Sequence, residues 1–134
     1  MTRPIFHLSF PVHDLDEALA FYTGVLGAAV GRHEPTWADV ALFGAQVTLQ
    51  YVPQDVLQPM PRSRHFGATL GPAEWEALVG RLDGFVEGPR TDYAGTEREQ
   101  RKAMFTDPSG NFIELKTYRN PEVVLGALAE VPAS

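Results

Sequence analysis

From Ile5 onward polar and apolar residues alternate. Phe6, Leu8, Phe10 and Val12 fall on one face of an extended chain, and His7, Ser9 and Pro11 fall on the other. A period of two with aromatic residues predicts a half-buried β-strand. The period then changes. In HDLDEALAFYTGVLG, residues Leu15, Ala18, Leu19, Tyr22 and Leu26 recur at three- and four-residue steps, the spacing of one helical face. Asp14 stands as N-cap with Glu17 three positions on, a capping-box pattern, and Gly27 is the expected stop. Short strands are expected at 29–31, 37–43 and 46–52, the last two joined by a tight turn at Gly44. PQDVLQPMPRS, with three prolines in eleven residues, then breaks regular structure.

The second half restates this order. Residues 64–70 alternate, with Phe66, Ala68 and Leu70 opposite His65, Gly67 and Thr69. GPAEWEALVGRLDG predicts a helix with Pro72 in its first turn, apolar Trp75, Leu78, Val79 and Leu82, and Gly84 as stop. Strands are expected near 85–87, 102–106 and 111–118. RTDYAGTEREQR reads as a polar loop and PEVVLGALAEV as a short tail helix. Strand, helix and three strands are thus stated twice. The expected organisation is module one over 4–53, a linker over 54–62, module two over 63–118 and a tail over 119–134. Overlaying the halves sets His65 on His7 and Glu114 opposite Thr48.

Composition adds boundaries to this picture. The 134 residues, 44% hydrophobic and 21% charged, suit one compact domain or two small modules sharing a core. A net charge of −6 argues against nucleic acid or an anionic membrane as partner. The chain has no cysteine, which removes disulfides and thiolate ligands and fits a cytoplasmic protein. No secretory leader or membrane span is expected.

DPSGNFIEL raises the chemical question. Glu114 interrupts an otherwise apolar strand, and an unpaired buried carboxylate is costly. His7, His65 and Glu114 all sit between apolar neighbours, so alternation points them away from the face the helices cover. Two imidazoles and a carboxylate meeting in a curved sheet would form a first shell for a divalent metal with open positions. The alternative is a pair of strand histidines satisfied by hydrogen bonds and a solvated glutamate. His13, beside the helix cap, and His33, in a polar turn, are assigned no metal role.

These stretches resemble the vicinal oxygen chelate superfamily, which holds glyoxalase I, bleomycin-resistance proteins, fosfomycin-resistance enzymes and extradiol dioxygenases. The resemblance rests on Asp14, Phe21-Tyr22 and Leu26-Gly27 in the first helix, and on Asp107, Pro108, Gly110, Asn111 and Glu114 in the closing hairpin. It spans about residues 5–118. It implies an α+β fold of two βαβββ modules whose mixed sheets curl around a metal-binding cleft, with His7, His65 and Glu114 as ligands. The family's fourth ligand position falls at Thr48, which is no carboxylate, and that departure favours a three-ligand, dioxygenase-like site. Fe2+ or Mn2+ are expected ahead of Zn2+ or Ni2+. Ser9, Trp37, Thr48, Gln50, Lys116 and Tyr118 are expected to bind a small-molecule substrate, and the resemblance implies a homodimer. The two other implied readings are a glyoxalase- or fosfomycin-type lyase or transferase, and a metal-free drug- or metabolite-binding protein.

Overall fold

The computed structural model describes residues 3–130, and the order of elements is the doubled one. The first series is β1 (His7–Val12), α1 (Leu15–Gly24), β2 (Ala29–Glu34), β3 (Trp37–Leu42) and β4 (Ala45–Tyr51). The second is β5 (His65–Thr69), α2 (Pro72–Val79), β6 (Glu87–Asp92), β7 (Gln100–Thr106) and β8 (Phe112–Tyr118), followed by α3 (Pro121–Leu125). Each series makes a four-stranded mixed sheet, ordered β1-β4-β3-β2 and β5-β8-β7-β6. In each, the first strand runs parallel to the fourth and the other pairs are antiparallel. Registers match as well: Ser9, two after His7, pairs with Thr48, and Gly67, two after His65, pairs with Glu114.

Two compact units result. One comprises residues up to Arg64 together with Asp107–Asn111; the other comprises His65–Thr106 and the chain from Phe112 onward. In the first unit α1 packs on β3 and β4, burying Leu15, Ala18 and Tyr22 against Val40, Val47 and Leu49. Its start is fixed by Asp14, whose Oδ1 accepts the Glu17 amide at 2.8 Å. In the second unit α2 lies on β8, and the buried Trp75 indole donates to the Leu115 carbonyl at 2.8 Å.

The DPSGN turn belongs to the first unit although it joins β7 to β8. Asp107 Oδ1 accepts the amides of Ser109 and Asn111, each at 2.9 Å, and Oδ2 accepts the Asn111 side-chain amide at 2.9 Å. The buried Tyr22 hydroxyl also donates to Oδ2, at 2.7 Å. Ser109 Oγ accepts the His13 amide at 3.0 Å. Burial, and then the Asp107 carboxylate, push the Tyr22 phenol well above its ordinary pKa.

Several boundaries differ from expectation. Strand β2 runs on to Glu34, so His33 lies in a strand, paired with Ala38. The helix expected to stop at Gly84 ends at Val79, where the Gly80 amide closes the last turn on Glu76. Strand β6 occupies Glu87–Asp92 and takes in Arg90, Thr91 and Asp92 from the stretch expected as loop. Gly88 and Pro89 mask it in sequence, because they sit at the irregularity where its register with β7 shifts. The tail forms α3 and a short 3-10 turn over Gly126–Glu130; Val131 lies outside the described residues. No described helix is long and apolar enough to cross a membrane.

Candidate metal centre

Strand alternation sorts the second unit's chemistry onto one face. Ile113 and Leu115 are fully buried and Leu115 lies under α2, whereas Glu114 and Lys116 take the opposite face. There Glu114 Oε1 stands 3.9 Å from His65 Nε2 and 3.3 Å from Lys116 Nζ. Its side chain is only 10% exposed, and the Lys116 ammonium is the charge that offsets its burial. Close approach of β5 sets this up. A Cβ added at Gly67 would fall inside the backbone carbonyl of Glu114. A hollow of about 240 Å³ results, lined by His65, Gly67, Thr69, Glu114 and Lys116 among others. Tyr118 sits further along β8, buried and opposite Gln100.

In the first unit His7 is exposed on β1, and its Nδ1 lies 3.2 Å from the Gln46 carbonyl oxygen. A carbonyl only accepts, so Nδ1 is the donor in this contact, and in the neutral imidazole Nε2 is the nitrogen that carries the lone pair. Ser9 and Gln50 are hydrogen-bonded to each other. The Thr48 hydroxyl donates to Asp39 Oδ1 at 2.6 Å, and Arg32 Nε reaches Asp39 Oδ2 at 2.6 Å. The Arg32 guanidinium also lies 4.8 Å from the centre of the Trp37 ring. The Thr48 hydrogen bond first, and Arg32 beside it, hold the buried Asp39 carboxyl below the usual carboxylate range.

Asp39 is the residue that sequence reasoning passed over. It interrupts the apolar WADVAL as Glu114 interrupts FIEL, and the same question about a mid-strand carboxylate would have found it. A polar run on the second sheet was also missed. Asp92 Oδ2 accepts from Gln100 at 3.2 Å and lies 3.5 Å from Lys102 Nζ, while Arg90 Nε reaches Asp92 Oδ1 at 3.2 Å. Among the described residues no group of three His, Asp or Glu side chains is gathered. The structure thus brings His65 and Glu114 together and places His7 on the other unit, on the face away from α1.

The model of the Glyoxalase/Bleomycin resistance protein/Dioxygenase superfamily matches residues 5–115. The chain belongs to that superfamily. Among its members, the metallothiol transferase FosB of Lysinibacillus sphaericus (strain C3-41) is 29% identical over 122 residues, covering 86% of this chain and 82% of that one. A glyoxalase/bleomycin resistance protein/dioxygenase structure from Alicyclobacillus acidocaldarius superposes with a TM-score of 0.73 at 27% identity, covering 90% of this chain and 96% of that chain. The fosfomycin resistance protein FosX of Listeria monocytogenes shares the fold, with a TM-score of 0.69 at 17% identity over 87% of this chain and 94% of that one.

The donors present suit the divalent metal that superfamily membership implies. Two donors at ~2.0–2.2 Å from one ion stand about 3.0 Å apart at an octahedral angle and about 3.4 Å apart at a tetrahedral one. His65 Nε2 and Glu114 Oε1, 3.9 Å apart, come onto one ion by closing about half an ångström. With Nδ1 turned to the Gln46 carbonyl, Nε2 is the His7 nitrogen placed for ligation. Thr48 spends its proton on Asp39, so it repeats the ladder position of Glu114 without its chemistry.

Proposed function

We propose that this chain is the subunit of a divalent-metal-dependent enzyme acting on a small molecule through two neighbouring oxygens. The observation that carries this reading is the pairing of His65 Nε2 with Glu114 Oε1 at 3.9 Å on a strand face turned from α2. His7 is the third donor, supported by the Nδ1 contact that frees its Nε2. When bound, the metal supplies a Lewis acid and a template that stabilises negative charge on the substrate. The chain's own residues do the rest. His7 and His65 would present nitrogen donors to the metal, and Glu114 a carboxylate oxygen. Lys116 and Thr69 face a substrate in the hollow. Ser9, Trp37, Thr48, Gln50 and Tyr118 are assigned to substrate orientation. Three protein donors leave coordination positions for substrate, and Mn2+ or Fe2+ suit two nitrogens and an oxygen ahead of Zn2+ or Ni2+.

The likeness to a metallothiol transferase favours addition of a thiol to an electrophilic substrate. A second reading, dioxygenase-like attack on a vicinal diol or hydroxy-carbonyl compound, is favoured by the three-donor set with Thr48 committed elsewhere. In both readings the enzyme is a cytoplasmic homodimer. Elemental analysis of protein purified without added metal is the test. About one divalent ion per chain is expected, lost in His65→Ala and in Glu114→Gln. Thiol consumption without oxygen uptake then selects the transferase, and oxygen uptake selects the second reading. Wild-type protein that binds no divalent ion overturns both and leaves a ligand-sequestering protein.

A further inference from the structure

Lys116 is bound to the wrong partner for a resting metal site. Its ammonium sits 3.3 Å from Glu114 Oε1, the same oxygen that faces His65 Nε2. A divalent ion on that oxygen and the ammonium beside it repel, so the two cations compete for one carboxylate. The rest of the face gives Lys116 little alternative. Directly across the β7–β8 ladder from it stands Lys102, a like charge at cross-strand distance. Lys102 is matched by Asp92, 3.5 Å away, and Asp92 is already engaged by Arg90 and Gln100. Once Glu114 is given to a metal, Lys116 is left with a cation on either side and Thr69, its register partner on β5, lining the same hollow. That hollow, about 240 Å³ in volume, sets Lys116 and Thr69 beside Glu114 and His65.

We propose that Lys116 is a displaceable counter-ion. It holds Glu114 in the metal-free protein and, once a metal takes Glu114, turns to the anionic group of the substrate. The substrate is therefore an anion (a carboxylate, phosphonate or sulfonate) that also carries the two chelating oxygens. The inference rests on the metal reading above and adds to it that metal and anion bind cooperatively, each strengthening the other by the same factor.

Mn2+ binding followed by electron paramagnetic resonance, with and without methylphosphonate as probe anion, tests this without any activity measurement. In wild type, methylphosphonate is expected to tighten Mn2+ binding by about five-fold or more. Lys116→Met is expected to bind Mn2+ alone about two- to five-fold more tightly than wild type, because a partly exposed competing ion pair is gone. It is also expected to lose the response to methylphosphonate, and Lys116→Arg to keep it. Lys116→Gln serves in place of Lys116→Met should the latter not fold. Undiminished anion coupling in the neutral variant, or Mn2+ binding no tighter than wild type, overturns this inference and leaves the metal reading standing. Absence of Mn2+ binding by wild type overturns both.

Discussion

Gly67 acts through the side chain it lacks. Its position opposite Glu114 admits β5 so close to β8 that a methyl group would overlap backbone carbonyl atoms, which cannot swing aside as a side chain could. Gly67→Ala must therefore push β5 off the ladder and draw His65 away from Glu114. An overpacking penalty of ~1–3 kcal/mol or more is expected, a fall in Tm of at least about 5 °C for a chain of this size, read by calorimetry. Tyr22 acts through its proton. Burial and Asp107 raise its pKa, so above the ordinary tyrosine pKa of ~10 the unfolded chain loses a proton that the folded one keeps. Stability that is fully present below that pH is lost progressively above it. Tyr22→Phe should lower stability by ~1.5–3 kcal/mol at neutral pH, since a buried carboxylate loses a donor. It should also remove this part of the alkaline decline; urea midpoints at pH 7 and at pH 10.5 check both.

Within the strands, the two faces of β8 carry opposite instructions. One presents Glu114 and Lys116 to chemistry, and the other presents Ile113, Leu115 and Thr117 to the interior. Thr117 fits its face badly, for its hydroxyl is buried with no hydrogen-bond partner. Thr117→Val, which removes that hydroxyl at nearly constant shape, is expected to stabilise the protein by ~1 kcal/mol while leaving metal binding unchanged; a raised urea midpoint with an unaltered m-value checks it. What could be read from the sequence followed from how local the cause was. The Asp14 cap, the α1 stripe, the Gly44 turn and the repeat itself are set by neighbours along the chain, and they appear where periodicity puts them. The extension of β6 from Glu87 to Asp92 was hidden because Asp92 is stabilised by Lys102 and Gln100 from the next strand, Arg90 pairs with Glu87 and Asp92, and nothing apolar marks the stretch. Alternation was enough to place His7, His65 and Glu114 on faces turned from the helices. It could not show that Lys116 shares the Glu114 oxygen, since that depends on side-chain reach.

For the molecule as a whole, the three proposed donors can be tested separately in the two units. His7 stands in one, and His65 and Glu114 stand in the other. A ligand that binds only the native arrangement stabilises it by mass action, about 2.7 kcal/mol at a hundred times its dissociation constant. Mn2+ at that excess should raise Tm, and EDTA should reverse the gain. His7→Ala and Glu114→Gln should each abolish the shift, although they alter different units. A shift that survives His7→Ala would remove that residue from the ligand set. The turn at Asp107–Asn111 bears on how such a protein could have been assembled. It lies in the later half of the chain, yet it accepts the phenol of the first helix and holds the end of the first strand through His13 and Pro11. A fragment ending at the proline-rich linker would keep that phenol inside with nothing to receive its hydrogen. The first unit is thus completed by a loop from the later half of the chain, so a half-length fragment is expected to be stable only when that loop is supplied to it.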